Sequence, residues 1–154
     1  MFLDRLQHLV AHSAIAGYPF ALFHLAIEPL SRIAAEHGPA MAERVMVETG
    51  KRLRVVHSDC NGVARHGEGF AVLIADFRPE TLAWAGSFDL DPASPPGLAR
   101  LAAALADRAP RPLRIDGHPL VLSGSVGIAP APAGSADAQA LLAEATRAAQ
   151  AVSG

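Results

Sequence analysis

The chain has 154 residues, of which 51% are apolar, and its formal charge is −2. A chain of this length can bury one core, and this apolar fraction excludes an intrinsically disordered protein. Only 13 lysine and arginine residues face 15 aspartates and glutamates. That balance excludes the strongly basic surface typical of nucleic-acid binding, so we expect no nucleic-acid partner.

The cysteine content and the N-terminus indicate the compartment. Cys60 is the only cysteine, so an internal disulfide is impossible, and no Cys/His spacing is typical of a zinc site. The opening residues MFLDRLQHLV contain Asp4 and Arg5, unlike the apolar run of a signal peptide. The most apolar window, residues 17–30, is too short and too interrupted to span a bilayer. We therefore expect a cytoplasmic protein without direct membrane insertion.

The first half of the chain alternates helical and extended patterns. Apolar residues recur at helical spacing over residues 2–16. The continuous run FALFHLAI, residues 20–27, predicts a strand that is buried on both faces. Pro29 can open a helix, and Gly38-Pro39 separates it from a second helix predicted over residues 39–56. Residues 58–62 have the composition of a loop.

The second half begins with two short apolar runs that predict a hairpin. Its strands are predicted at 63–66 and 70–75, with a turn at Gly67-Glu68-Gly69. The further predictions are an ambiguous segment at 78–88, a proline-rich loop at 89–97, a helix from 98 to about 110, a strand pair at 112–116 and 120–129, and a final helix capped by Ser135. Helices on both faces of a mixed sheet give an α+β sandwich. We expect a single domain over residues 1–154.

Three segments, taken in order, resemble the GGDEF family of diguanylate cyclases, which join two GTP molecules into cyclic di-GMP. They are FLDRLQHLVAHSAIAGYPFALFHLAIE, VARHGEGFAVLIAD and PLRIDGHPLVLSGSVGIAPAPAGSADAQALLAEATRAAQAV. The resemblance implies the mixed, palm-like sheet of nucleotidyl cyclases with a signature hairpin. It also implies that the family's opening segment is missing, since the chain begins inside the helix that follows it.

The resemblance implies that several positions of the catalytic site have lost their polar side chains. The family's metal-binding aspartate on the first strand falls on Ala26, whereas Glu28 keeps an acid at the second position. The Asn-Asp pair that reads guanine falls on Ala34 and Ala35, whose side chains cannot hydrogen-bond. A further guanine-contacting aspartate falls on Glu43.

The signature hairpin is altered as well. Glu68 stands at the metal-binding acid, and Gly69 replaces the acid that follows. The pattern is one residue short if Arg65 is matched to the family's arginine, whereas matching Phe70 places His66 at the first glycine. The lysine that would hold phosphate on the last helix falls near Val152.

The family's product-inhibition motif, Arg-x-x-Asp, is not intact either. Its two positions fall on Ser58 and Asn61. Arg54 with His57 or Asp59 could replace it only if the loop were rearranged.

These substitutions favour a domain that has kept the fold and lost the reaction. We expect a catalytically inactive regulatory or protein-interaction domain with no metal and no cofactor, whose partner is another protein or a second copy. One alternative is a receptor for cyclic di-GMP or GTP, for which the candidate contacts are Arg54, Arg65, Gly67, Gly69 and Arg114. The other is a weak cyclase that uses Glu68 and Glu28 with magnesium and GTP. For single residues we expect Arg65 to pair with a nearby acid, and His24 to be a hydrogen-bonded histidine of the strand.

Overall fold

The computed structural model describes residues 7–8, 20–28, 30–58, 61–67, 69–86, 89–108, 113–115, 117–120, 123–131 and 138–153. The strands are β1 (Phe20–Glu28), β2 (Gly62–His66), β3 (Gly69–Ile74), β4 (Leu113–Ile115), β5 (His118–Leu120) and β6 (Ser123–Ala131). The helices are α1 (Leu30–His37), α2 (Pro39–Arg52), α3 (Pro95–Arg108) and α4 (Ala138–Ser153), with short 3₁₀ turns at Leu53–Val56 and Ala83–Ala85. Of the helix predicted over residues 2–16, only Gln7 and His8 are described, and both are helical. The turn residue Glu68 and the predicted cap Ser135 lie outside the described residues.

The main sheet has the strand order β2-β3-β1-β6. Strand β1 pairs with β3 on one side and with β6 on the other. Strand β1 therefore has a strand on each edge and helices on each face, which explains why its residues are almost all apolar. A sheet with parallel and antiparallel neighbours was expected; the three described pairings are all antiparallel.

Alternate residues of β1 enter two different cores. Ala21, Phe23 and Leu25 belong to the larger core, which includes residues of α1, α2 and α3. Phe20 and Leu22 belong to the smaller core, where they join apolar side chains of α4. The α+β class with helices on both faces of the sheet is therefore confirmed.

The prediction that residues 112–116 pair with 120–129 is confirmed at the turn, where Leu113 pairs with Leu120, and is wrong in the extent of the second strand. Strand β4 pairs with the three-residue strand β5, turning at Gly117, whose φ is +80°. Strand β6 instead pairs with β1 over nine consecutive residues. This ladder satisfies backbone groups along all nine residues of β6, so most of the predicted second strand belongs to the main sheet.

Helix α3 begins at Pro95, three residues before the predicted start. The Ser94 hydroxyl accepts a hydrogen bond from the Gly97 N–H at 3.2 Å, which caps the helix. Pro95 and Pro96 fit the first turn because the N–H groups that they lack have no intrahelical partner there. The prolines thus start the helix rather than extend the loop. Within the described residues, no helix combines the length and the apolar character that crossing a membrane requires.

Candidate functional site at the hairpin end of the sheet

The end of β1, the β2–β3 hairpin and α4 together enclose a cavity of about 340 Å³. This hairpin cavity is lined by His24, Ala26, Ile27, Glu28, His66, Gly67, Thr146 and Gln150. It lies where the resemblance places the metal and phosphates of the family, because it joins the end of the first strand to the signature hairpin. Glu28 and Gly67, both named from the sequence, line it together.

Two positions that carry acids in the family face each other across the sheet. Ala26 of β1 is the register partner of Gly69 of β3. A Cβ placed on Gly69 would lie 1.9 Å from the Leu25 carbonyl oxygen and 3.0 Å from the Ala26 Cα. No side chain fits at Gly69 unless one of the two backbones moves, so this close approach of the strands requires glycine.

The small residues of β3 let two histidines meet above it. The rings of His24 on β1 and His66 on β2 lie 5.2 Å apart, edge to face at 85°, although β3 separates their strands. On this face β3 presents Gly69 and Ala71, which pair with His66 and His24 respectively. A larger side chain at either position would occupy the space through which the rings contact each other.

Among the described contacts of His24, one hydrogen bond defines the tautomer. Its Nε2 lies 3.2 Å from the His66 carbonyl oxygen, which only accepts, so Nε2 carries the proton and donates. The other nitrogen, Nδ1, is buried without a partner, as is Nδ1 of His66. The sequence prediction of a hydrogen-bonded histidine within the strand is confirmed.

Burial determines the charge state of His24. The residue is 4% exposed, and desolvation is the main reason that its pKa lies below the ordinary value of 6.5. The hydrogen bond to the His66 carbonyl raises the pKa, and the charge of His66 lowers it further. His24 is therefore a neutral imidazole at pH 7.

Arg65 is engaged on the outer side of the hairpin. Its guanidinium donates to both carboxylate oxygens of Glu43 on α2, at 2.5 Å and 3.1 Å. Both side chains are about half exposed. The hydrogen bonds lower the pKa of Glu43 and raise that of Arg65. The prediction that Arg65 pairs with a nearby acid is confirmed, and its partner is the acid at a guanine-contacting position of the family.

Asn61 and Ser58, at the family's inhibitory positions, form structural hydrogen bonds. The fully buried Asn61 accepts from the backbone N–H groups of Ala75 and Asp76 at 2.7 Å and 2.8 Å, and it donates to the Asp76 carbonyl at 3.2 Å. The Ser58 hydroxyl accepts from the Asn61 N–H at 3.1 Å. Asn61 thereby ties the start of β2 to the end of β3.

The other predicted site residues lie on separate elements. Arg54 is exposed on the 3₁₀ turn after α2, and Arg114 is exposed on β4 in the two-stranded sheet. Gly67 follows β2 with a φ of +58°. Val152 falls within α4. Glu68, the remaining acid of the signature, lies outside the described residues.

Sequence reasoning missed the contact between His24 and His66, and it missed Thr146 and Gln150 of α4 in the cavity wall. The first could have been found from the two small residues, Gly69 and Ala71, that alternate on β3 opposite the histidines. Over the described ranges, no three His, Cys, Asp or Glu side chains gather closely enough to hold a metal ion.

The fold and this site define an α+β domain with an antiparallel sheet, a signature-type hairpin and helices on both faces. No protein-family model matches the chain, and no curated protein does. Solved structures do match. The GGDEF domain of PA1120 (YfiN or TpbB) from Pseudomonas aeruginosa is 25% identical with a TM-score of 0.77, over 97% of this chain and 85% of that one.

Two further matches are complexes. The coiled coil and GGDEF domain of DgcB from Caulobacter crescentus, bound to c-di-GMP, is 18% identical with a TM-score of 0.72, over 97% of this chain and 72% of that one. The diguanylate cyclase SiaD of P. aeruginosa, bound to its activator SiaC, is 19% identical with a TM-score of 0.73, over 99% of this chain and 53% of that one. The chain therefore has the fold of GGDEF domains, and the resemblance predicted from sequence is confirmed at that level.

Proposed function

We propose that this domain is a catalytically inactive GGDEF-like module of bacterial cyclic di-GMP signalling, working in the cytoplasm by binding another protein or a second copy of itself. The observation that carries the proposal is the pairing of Ala26 with Gly69. Two acid positions of the family are adjacent across the sheet and neither has a carboxylate. At Gly69 the backbone of β1 is too close for any side chain.

The loss of these two acids weakens the binding of a metal-triphosphate, since Glu28 and Glu68 are the acids that remain at the family's positions. A divalent ion needs several oxygen ligands in order to neutralise the phosphates and activate the attacking hydroxyl. Removing one such electrostatic contact costs about 2.7–4 kcal/mol of transition-state stabilisation. Here the lost groups also include the guanine-reading positions, which are Ala34 and Ala35 on α1. The combined loss supports a domain without turnover.

A direct assay of GTP turnover tests this proposal. The purified chain is incubated with GTP and magnesium, and the nucleotides are separated by chromatography. We expect no cyclic di-GMP and no heat when GTP is titrated in a calorimeter. Cyclic di-GMP that forms from the wild type and not from Glu68→Gln would contradict the proposal and establish the weak cyclase. Ala26→Asp, which returns one acid to the rim of the cavity, should remain inactive because Gly69 still lacks the acid that follows Glu68 and because Ala34 and Ala35 cannot read guanine.

The mode of action has its own test. SiaD was solved with a protein activator, which supports protein binding as the role of a domain of this fold. Sedimentation velocity over a range of concentrations measures self-association. Dimers that form as concentration rises would support a second copy as the partner, whereas a monomer at all concentrations would favour a different protein.

A second candidate function is cyclic di-GMP reception. DgcB was solved with that ligand, and arginines suit phosphates because of their planar donor geometry. The candidate contacts are Arg54, Arg65 and Arg114. If Arg65 contacts phosphate, Arg65→Ala should weaken cyclic di-GMP binding in calorimetry, whereas Glu43→Gln should strengthen it by releasing the guanidinium from its ion pair. If the wild type gives no binding heat, this candidate fails.

A further inference from the structure

Large apolar side chains are exposed at two places on the described part of the surface. Val47 and Val55, at the first place, are 45% and 44% exposed, and Leu90, at the second, is 40% exposed. Single exposed apolar residues are common, but these lie in surroundings of opposite charge. The valines stand among basic residues, whereas Leu90 stands between two acids.

The first place is formed by α2 and the 3₁₀ turn that continues it. Val47, Lys51 and Val55 follow one another at steps of four residues, so they lie along one side of the helix, and all three are exposed. The first and last residues of the turn are fully buried, which leaves Arg54 and Val55 facing solvent. We call Val47, Lys51, Arg54 and Val55 the basic patch.

The surroundings of the basic patch keep it positively charged. Residues 49–58 contain Lys51, Arg52 and Arg54 and no acid. Lys51 donates to Glu48 at 3.1 Å, but the two side chains are 54% and 39% exposed. An ion pair as exposed as this one is weak, and a single carboxylate does not offset the basic residues around it.

The second place is the loop that precedes α3. Asp89 and Asp91 flank Leu90, and we call these three residues the acidic loop. Residues 79–99 contain three acids and no lysine or arginine. Asp89 lies 3.7 Å from Arg100 and its side chain is 96% exposed, so this ion pair is weak as well. The loop therefore presents an apolar side chain within a negative field.

Hydrogen bonds fix the shape of the acidic loop. The Asp91 carboxylate accepts from the Ala93 N–H at 3.0 Å, and the Asp91 carbonyl accepts from the Ser94 N–H at 3.1 Å. A Cβ placed on Gly97 would lie 2.1 Å from that carbonyl oxygen, so the loop rests directly on the first turn of α3. Because this backbone is already ordered, little conformational entropy is lost when a partner covers Leu90.

We infer that the acidic loop of one copy of this chain docks on the basic patch of a second copy. Leu90 packs against Val47, Val55 and the aliphatic part of Lys51, and the aspartates of the loop face the positive charges of the patch. The inference rests on the part of the proposed function that names a second copy as the partner.

A second copy is the partner that satisfies both surfaces at once. Each surface has its complement, in charge and in apolar character, on the same chain. Their apolar residues are exposed, so the two surfaces do not cover one another within one copy. An anionic membrane would fit the basic patch alone, and the acidic loop and the net charge of −2 oppose it.

Two variants of altered charge test the inference. Lys51→Gln with Arg54→Glu makes the basic patch negative. Asp89→Lys with Asp91→Asn makes the acidic loop positive, and asparagine keeps the acceptor for the Ala93 N–H. In sedimentation velocity we expect the wild type to associate with a dissociation constant below about 1 mM, and each variant alone to associate at least tenfold more weakly. An equimolar mixture of the two variants should associate again, because the unchanged loop of the first meets the unchanged patch of the second.

Arg32→Gln with Arg147→Glu is the matched control, because it changes the net charge as much as the first variant does, at exposed positions on α1 and α4. This control should associate as the wild type does, whereas Leu90→Ser should weaken association at least tenfold. A wild type that stays monomeric up to about 1 mM would overturn the inference and leave the basic patch to a different partner. A mixture that associates no more than either variant alone would overturn it too.

Failure of this inference is distinguishable from failure of the proposed function. A chain that does not self-associate contradicts the docking of two copies and leaves catalytic inactivity untouched. Formation of cyclic di-GMP from GTP contradicts inactivity, and it changes nothing in the sedimentation of the variants.

Discussion

At the scale of single residues, Gly69 is the position on which the site depends most. Its missing Cβ permits the 1.9 Å approach of the Leu25 carbonyl. We expect Gly69→Ala to lower the free energy of unfolding by about 3 kcal/mol, because one of two buried strands must shift. Urea denaturation measures this loss. Gly67→Ala is the control: its Cβ meets open space, so only the positive φ is penalised, by about 1 kcal/mol. Equal losses in the two variants would show that the strands are not in close contact.

His24 makes stability depend on pH. Its pKa is depressed in the folded chain, so the unfolded chain binds a proton first as pH falls. The stabilisation is complete above the unfolded pKa of about 6.5 and is lost as pH drops through that value towards the lower folded pKa. Urea unfolding from about pH 8 to about pH 5 should therefore show a falling free energy of unfolding. His24→Gln, which keeps a donor for the His66 carbonyl, should flatten this decline, whereas His57→Gln, at an exposed position, should retain it.

At the scale of elements, Asn61 joins the two strands of the hairpin at the end opposite the turn. Its Oδ1 is the acceptor for two backbone N–H groups, those of Ala75 and Asp76. Asn61→Ala leaves both donors unpaired in a buried environment, and each unpaired group costs about 1–3 kcal/mol. We expect a loss of about 3 kcal/mol in chemical denaturation.

Asn61→Asp separates the two kinds of hydrogen bond that this side chain makes, the two that Oδ1 accepts and the one that Nδ2 donates. The carboxylate keeps the acceptor, but it buries a negative charge and sets an oxygen against the Asp76 carbonyl where Nδ2 donated. The loss in Asn61→Asp should therefore be larger near neutral pH than at acid pH, where a protonated carboxyl can donate to that carbonyl. If Asn61→Ala were tolerated without loss, the strand ends would be held by something other than this side chain.

Local patterns predicted the elements whose signals are strong and short in range. The run FALFHLAI identified β1, and glycines bounded the hairpin, because burial on both faces and tight turns leave direct traces in sequence. The pairing of β6 could not be predicted in this way. Residues 120–129 are compatible with either partner. The choice depends on the nine-residue ladder with β1, which joins residues from Glu28 and Ser123 to Phe20 and Ala131, far apart in sequence.

From the sequence, the candidate site could be predicted only as a set of family positions that have lost their polar side chains. Ala26 and Gly69 were recognised as substitutions, but their pairing across the sheet follows from the register of β1 and β3. The contact between His24 and His66 depends on that register too, and on the small residues of the strand between them. The sequence alone gives the residue types, whereas the pairing of β1 with β3 determines which of these residues are neighbours.

At the scale of the whole molecule, the two faces of the sheet are covered differently. Three helices and many large side chains cover one face. Among the described elements, α4 covers the other face with mainly small residues, including the buried Ala145 and Ala149. This close packing depends on Gly127 of β6. A Cβ there would lie 2.2 Å from both the Ala145 carbonyl oxygen and the Ala149 nitrogen.

Gly127→Ala should therefore push α4 away from the sheet and open the hairpin cavity, since Thr146 and Gln150 of α4 line it. We expect a loss of about 3 kcal/mol in urea unfolding, with faster amide hydrogen exchange in α4 than in α2. Gly50→Ala provides a control, because it should raise the free energy of unfolding. Its Cβ would contact the Phe70 ring at 3.4 Å, and alanine within a helix is favoured over glycine by about 1 kcal/mol. Unchanged exchange in α4 of Gly127→Ala would mean that the helix does not rest directly on the β6 backbone.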